Sequence, residues 1–219
     1  MIKGLIFDMD GTLVQNMPYH LRAFDEQARR HGYTLKSPMG ERYFGWHNFQ
    51  IMPEIIPDKE IERIGLEYLS DEKEAIYREL YSGNVALTKG LDTLLDTAEK
   101  LGIKSFIGSA APRVNIEFIL TETAVDKRMC GYVCADDVTR CKPDPEIFLK
   151  SCARLGLEPS ECIVFEDAVS GIKAAVAAGC YPVGLTSIAT REALIEAGAR
   201  LVIEDFDDVD LENLVAQIG

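Results

Sequence analysis

The chain has 219 residues, enough for one large domain or a core with a smaller one attached, and a 47% hydrophobic share suits a soluble protein with a proper core. Its 36 acids against 23 lysines and arginines give a net charge of −13, which argues against nucleic acid or an anionic membrane as partner. An anionic small molecule stays open, because lysine, backbone amides and a metal can reverse the sign of one pocket.

The start, "MIKGLIFDMD", has too short an apolar run for a signal peptide, and no run approaches the ~18 apolar residues of a membrane span, so a cytoplasmic protein is expected. "LIFDMDGTLV" (5–14) reads as a buried strand that ends on two acids, Asp8 and Asp10. Two residues apart in an extended chain, both carboxylates point to one side, and Gly11 then lets the backbone turn. One reading makes Asp8 a nucleophile, with Asp10 moving protons and a cation balancing the charge. The other is a plain turn in which Asp10 bonds its own backbone.

Residues 15–85 change character. "PYHLRAFDEQARRHG" (18–32) and "DKEIERIGLEYLSDEKEAIYRELYSG" (58–83) carry amphipathic helical patterns with no strand between them. The expected division is therefore a core of 1–14 with 86–219, and a helical insert of 15–85. His20 on the first helix, and Trp46, His47 and Asn48 in the loop "YFGWHNF", are candidates to face a crevice. A helix-surface role for His20 and a packing role for Trp46 are the alternatives.

From about residue 86 strands alternate with helices. Runs 103–109, 131–136, 161–167, 181–187 and 199–205 read as strands, separated by helical "GLDTLLDTAEKLG", "NIEFILTET", "DPEIFLKSCARLG" and "AVSGIKAAVAAG". Gly102, Gly156 and Gly179 stand where helices stop. Apolar strands separated by helices predict a parallel sheet covered on both faces, with ligands outside the carboxyl ends of the strands.

Three strand or loop ends then bear on Asp8 and Asp10. Ser109, with the adjoining amide of Ala110, ends one strand and offers a phosphate contact. In "CKPDPEIF", Lys142 precedes a helix with Asp144 as the expected N-cap and Pro145 as its first residue. "IVFEDAVSGIKAA" ends a second apolar strand in acids, Glu166 and Asp167, although Asp167 could instead cap the next helix. Two strands ending in acids would bring four carboxylates to one crevice, a cluster that repels itself unless a cation joins it, and oxygen ligands suit Mg²⁺. None of the six cysteines forms a CxxC pair, so packing thiols are favoured over a zinc site at Cys130 and Cys134.

DxDGT at 8–12, Ser109, the lysine of "KPDP" and the "ED" of 166–167 stand in the order of the motifs of the haloacid dehalogenase superfamily, and the chain resembles its β-phosphoglucomutase-like phosphatases over nearly its whole length. The resemblance implies a Rossmann-like three-layer α/β/α core with a parallel sheet and, in the insert, a small helical cap that excludes water. By position it implies Asp8 as nucleophile and metal ligand, Asp10 as acid/base and ligand through its carbonyl, and Ser109, Ala110 and Lys142 as phosphoryl contacts. Asp167 with Glu166 completes Mg²⁺ binding, and His20 and Asn48 contact substrate. The implied activity is a Mg²⁺-dependent phosphatase of a small phosphorylated metabolite such as a sugar phosphate, with an aspartyl-phosphate intermediate, acting as a monomer. A β-phosphoglucomutase and an inorganic pyrophosphatase are the alternatives on the same chemistry. Asn48 stands where the mutases carry arginine, and Arg113 where a lysine is expected. A dehalogenase would leave Asp10 and the Glu166/Asp167 pair idle, and a non-catalytic binding protein is disfavoured because no motif position is missing.

Overall fold

A computed structural model of the protein describes residues 1–38, 40, 43 and 47–219; Trp46 lies outside the described residues. The chain divides into two compact units, one of residues 1–15 and 86–219, the other of residues 16–85.

The first unit opens with β1 (Gly4–Phe7), whose four residues are all buried. The helices of the second unit follow in the chain: α1 (Met17–His31), α2 (Asn48–Ile55), α3 (Asp58–Ile64) and α4 (Leu66–Tyr81). The chain then resumes the first unit with α5 (Leu91–Lys100), β2 (Lys104–Gly108), α6 (Arg113–Thr123), β3 (Tyr132–Val133), α7 (Glu146–Leu155), β4 (Cys162–Glu166), α8 (Val169–Ala178), β5 (Tyr181–Leu185), α9 (Arg191–Ala197), β6 (Leu201–Ile203) and α10 (Leu211–Ile218). The strands form one sheet in the order β3-β2-β1-β4-β5-β6, and every neighbouring pair is parallel. The order reverses at β1, so the loops after β1 and β4 part there, where a parallel sheet opens a crevice at its carboxyl edge.

Adjacent strand residues serve opposite faces. Ile6, Phe106, Val133 and Val164 pack under α7 and α8 with Ile147, Phe148 and Ala174. On the other side Phe7 stacks on Phe165 at 5.0 Å, with the Phe206 ring edge-on to both. Burial on both faces explains why these strands read as continuous apolar runs. Cys152, Cys162 and Cys180 are buried in the same core, as packing thiols should be. The helix stops at Gly102, Gly156 and Gly179 all have positive φ, the left-handed geometry that closes a helix at little cost to glycine.

In the second unit Phe24, Ile51, Met52, Ile55 and Leu69 form the core of the four helices. Two expectations need correction here. The run 58–83 is two helices, because Gly65 between α3 and α4 takes φ 98, outside the helical region. His47 and Asn48 do not lie in a loop. His47 is the N-cap of α2, accepting from Phe49 N–H in a box with Gln50, and Asn48 is the first residue of that helix.

Candidate active site

Sheet register brings the candidate residues to one edge. Phe7 pairs with Ile107 on one side and Phe165 on the other, so Asp8, Gly108 and Glu166 follow together and Ser109 and Asp167 stand one residue beyond. The Asp8 N–H continues the ladder to Phe165 O at 2.9 Å. After Asp8 the chain turns back on itself at Gly11, whose φ of 81 suits glycine, and Gly11 N–H donates to Val14 O at 2.8 Å.

Carboxylate oxygens of Asp8, Glu166 and Asp167 all lie within 4.8 Å of one another, and all three residues are buried. Lys142 Nζ donates to Asp8 Oδ1 at 2.6 Å and to Glu166 Oε1 at 2.6 Å. Its side chain is only 5% exposed. The Asp8 pKa is raised to about 7, chiefly by burial, with Lys142 opposing the rise and Glu166 and Asp10 adding to it. Asp167 is pushed well above the carboxylate range, first by burial and then by Glu166 and Asp8. Burial opposes the Lys142 charge, but Asp8 and Glu166 outweigh it and hold that pKa above the usual lysine range. Three buried carboxylates thus share one ammonium. Carboxylate oxygens are the donors a small hard divalent cation takes, so the cluster fits such an ion, with Asp8, Asp167 and Glu166 as the groups to hold it.

The alternative role for Asp167 does not hold. α8 has Ala168 as its N-cap, with no side-chain cap bond, and the Asp167 carboxylate instead receives Ser187 Oγ at 3.3 Å. Ser187 also donates to Gly11 O at 2.5 Å, tying the β1 turn to the end of β5. Sequence reasoning missed this residue, because a serine after an apolar strand carries no signal of its own. Ser109 is 1% exposed, and its Oγ accepts from Ala111 N–H at 3.1 Å, so the hydroxyl is already oriented by the loop it begins. Ala110, between them, is half-buried. Asp144 is not the N-cap of α7. Pro145 holds that position, and Asp144 Oδ1 accepts from Glu146 N–H at 3.0 Å, one residue further out than expected. Arg113 is committed to Asp137 at 3.2 Å and Tyr132 at 3.2 Å.

His20 and Asn48 come together within the second unit, in a buried polar cluster. His20 is 8% exposed, which excludes the helix-surface reading, and its ring stacks on Tyr77 at 3.9 Å. Lys73 Nζ donates to His20 Nδ1 at 2.7 Å and to Glu74 Oε1 at 2.8 Å. Asn48 Nδ2 donates to the same Glu74 oxygen at 2.7 Å and to Ser70 Oγ at 3.2 Å. Lys73 and Glu74 were missed because adjacent charges on a charged helix read as its solvent face.

A family model described as haloacid dehalogenase-like hydrolase matches residues 2–179. The validoxylamine A 7'-phosphate phosphatase of Streptomyces hygroscopicus subsp. limoneus is 32% identical over 213 residues, 95% of this chain and 96% of the relative. Hexitol phosphatase A of Escherichia coli is 29% identical over 94% of this chain and 93% of its own. The crystal structure of β-phosphoglucomutase from Clostridium difficile superposes with a TM-score of 0.83 at 25% identity, covering 100% of this chain and 97% of that one.

Proposed function

The chain belongs to the haloacid dehalogenase-like hydrolases and is an enzyme of phosphatase type, and we propose that it hydrolyses the phosphate monoester of a small sugar- or polyol-like metabolite with Mg²⁺ as cofactor. The observation that carries this reading is the buried Asp8–Lys142–Glu166 bridge with Asp167 beside it, at the crevice edge of a parallel sheet. An all-purpose surface has no use for so much buried negative charge; a site for a cation and a phosphoryl group has.

Asp8 attacks phosphorus in line, and the ester oxygen leaves with a proton from Asp10. The aspartyl phosphate so formed is then hydrolysed by water, from which Asp10 takes a proton back. Lys142 turns its ammonium to the phosphoryl oxygens as charge spreads over them, and Ser109 with the Ala110 amide holds the same group. Asp8, the Asp10 carbonyl, Asp167 and Glu166 would hold the Mg²⁺, which supplies further positive charge to the transferring group.

Hydrolysis is favoured over mutase chemistry by Asn48. A mutase must hold a second phosphate firmly, and the resemblance puts an arginine at this position for that purpose. Here Asn48 is a neutral amide already donating to Glu74, and it cannot supply the bidentate, charge-assisted clamp that arginine gives a phosphate. The test is a panel of phosphorylated sugars, polyols and pyrophosphate, assayed for inorganic phosphate with Mg²⁺ and with a chelator. Mg²⁺-dependent release from a sugar or polyol monophosphate is expected. Conversion of β-glucose 1-phosphate to glucose 6-phosphate faster than phosphate release would establish the mutase instead.

A further inference from the structure

Gly171 is the third residue of α8 and is buried, and its backbone is helical, a conformation open to every L residue. Glycine inside a helix is disfavoured relative to alanine, so something other than the backbone asks for it. Helix α8 shows what it uses when it needs only a small residue: Ala174, Ala175 and Ala178 are buried in the core. At position 171 alanine is already too large. A Cβ there would stand 1.8 Å from Glu166 Oε1, 1.9 Å from its carboxyl carbon and 2.5 Å from Oε2. The Glu166 carboxylate therefore lies directly on the bare Cα of Gly171.

Both oxygens of that carboxylate are spoken for. Oε1 accepts from Lys142 Nζ at 2.6 Å, and Oε2 accepts from Ala168 N–H at 2.6 Å. With the Glu166 side chain only 2% exposed, it has no solvent-side space into which to swing. Gly11 makes a useful contrast. A Cβ there would meet Asp167 Oδ2 at 1.8 Å, but its φ of 81 already calls for glycine, so that position is explained without the carboxylate. Gly171 is not.

We infer that Gly171 is a positioning residue of the active site: its missing side chain is the seat of the Glu166 carboxylate, which in turn holds Lys142 against Asp8. The functional half of this inference rests on the phosphatase reading above; the seat itself does not. A methyl group at 171 lifts Glu166 off its amide and moves the ammonium that Asp8 and the phosphoryl group share.

Two measurements test it separately. The first is a stability cycle of Gly171→Ala, Glu166→Ala and the double variant, followed by thermal melting without substrate. Gly171→Ala alone should lower the melting temperature, and in the Glu166→Ala background the same change should be neutral or raise it. An equal loss in both backgrounds, or a double variant that fails to fold while Glu166→Ala folds, overturns the seat. The second is hydrolysis of para-nitrophenyl phosphate. Gly171→Ala should lose at least tenfold in kcat with a smaller change in KM, and Glu166→Asp, which withdraws the carboxylate by one methylene, should restore at least threefold of that loss. Wild-type kcat in folded Gly171→Ala, or no recovery in the Asp double variant, overturns the positioning role. If the wild-type enzyme releases no phosphate, the phosphatase reading fails, and the stability cycle still decides the seat.

Discussion

Each of the two units buries a lysine beside acids, and the two lysines live differently. In the α/β unit Lys142 bridges Asp8 and Glu166, with Asp167 in the same cluster, so carboxylates exceed ammonium. In the helical unit Lys73 meets one carboxylate, Glu74, and His20 Nδ1, with Asn48 supplying a further donor to Glu74. The helical cluster is close to balanced in charge and works as a buried pair that fixes α1, α2 and α4 to one another. The α/β cluster holds more carboxylates than its one ammonium can balance, so without a ligand of opposite charge its acids tend to keep their protons, in line with the raised pKa of Asp8 and Asp167. The imbalance, more than the burial, marks the site of chemistry.

The largest expected effect comes from removing the attacking oxygen. Asp8→Asn should lower turnover by at least about 10³-fold. Its melting temperature, taken without metal, should stay level or rise, because one member of a self-repelling cluster is gone. A folded Asp8→Asn protein with near-wild-type turnover would remove Asp8 from the chemistry.

Next in size is the exchange of each lysine for methionine. Lys142→Met takes from Asp8 and Glu166 the ammonium they share, and Lys73→Met takes from Glu74 its ammonium, so both should cost about 3–5 kcal/mol in the metal-free protein. Added Mg²⁺ should recover part of the loss for Lys142→Met and none for Lys73→Met, read from denaturant unfolding. Equal recovery in both would erase the distinction drawn between the clusters.

A smaller effect is the pH dependence of stability. The Asp8 pKa is raised from 3.8 to about 7, chiefly by burial, so between those values the folded chain holds a proton that the unfolded chain has released. Stability of the metal-free protein should therefore fall as pH rises through that window. The slope should be shallower in Asp8→Asn and in the presence of Mg²⁺, since a bound cation favours the ionised form. A metal-free protein whose unfolding free energy climbs from pH 4 to 7 as steeply as Asp8→Asn would show that Asp8 ionises normally.

Much of the α/β unit could be read from residue order, because its signals are local. Strands buried on both faces carry unbroken apolar runs, and glycines 102, 156 and 179 sit where only a left-handed residue ends a helix cheaply. The acids at 8 and 166–167 stood out because they interrupt such runs. What stayed hidden depends on tertiary placement. Gly65 breaks the 58–83 pattern only through its φ, which a tolerant amphipathic sequence does not reveal. The strand expected over 131–136 is present as β3, cut to two residues, while the start of α2 at Asn48 carries no clear period. Lys73, Glu74 and Ser187 have ordinary local contexts; packing buries the first two, and only the tertiary fold brings Ser187 to Asp167. Gly171 sits in an alanine-rich helix where a small residue is ordinary, and only the Glu166 carboxylate lying against it sets it apart.

If Asp8 is the nucleophile, residue 8 itself carries the phosphoryl group during turnover. Wild-type enzyme turning over a hydrolysed sugar or polyol phosphate, quenched in acid and reduced with borohydride, should yield homoserine at position 8 in the peptide map, because an acyl phosphate is reduced where a free carboxylate is not. The label should need both substrate and Mg²⁺. Full turnover with residue 8 recovered only as aspartate, and homoserine appearing at another acid, would contradict the assignment.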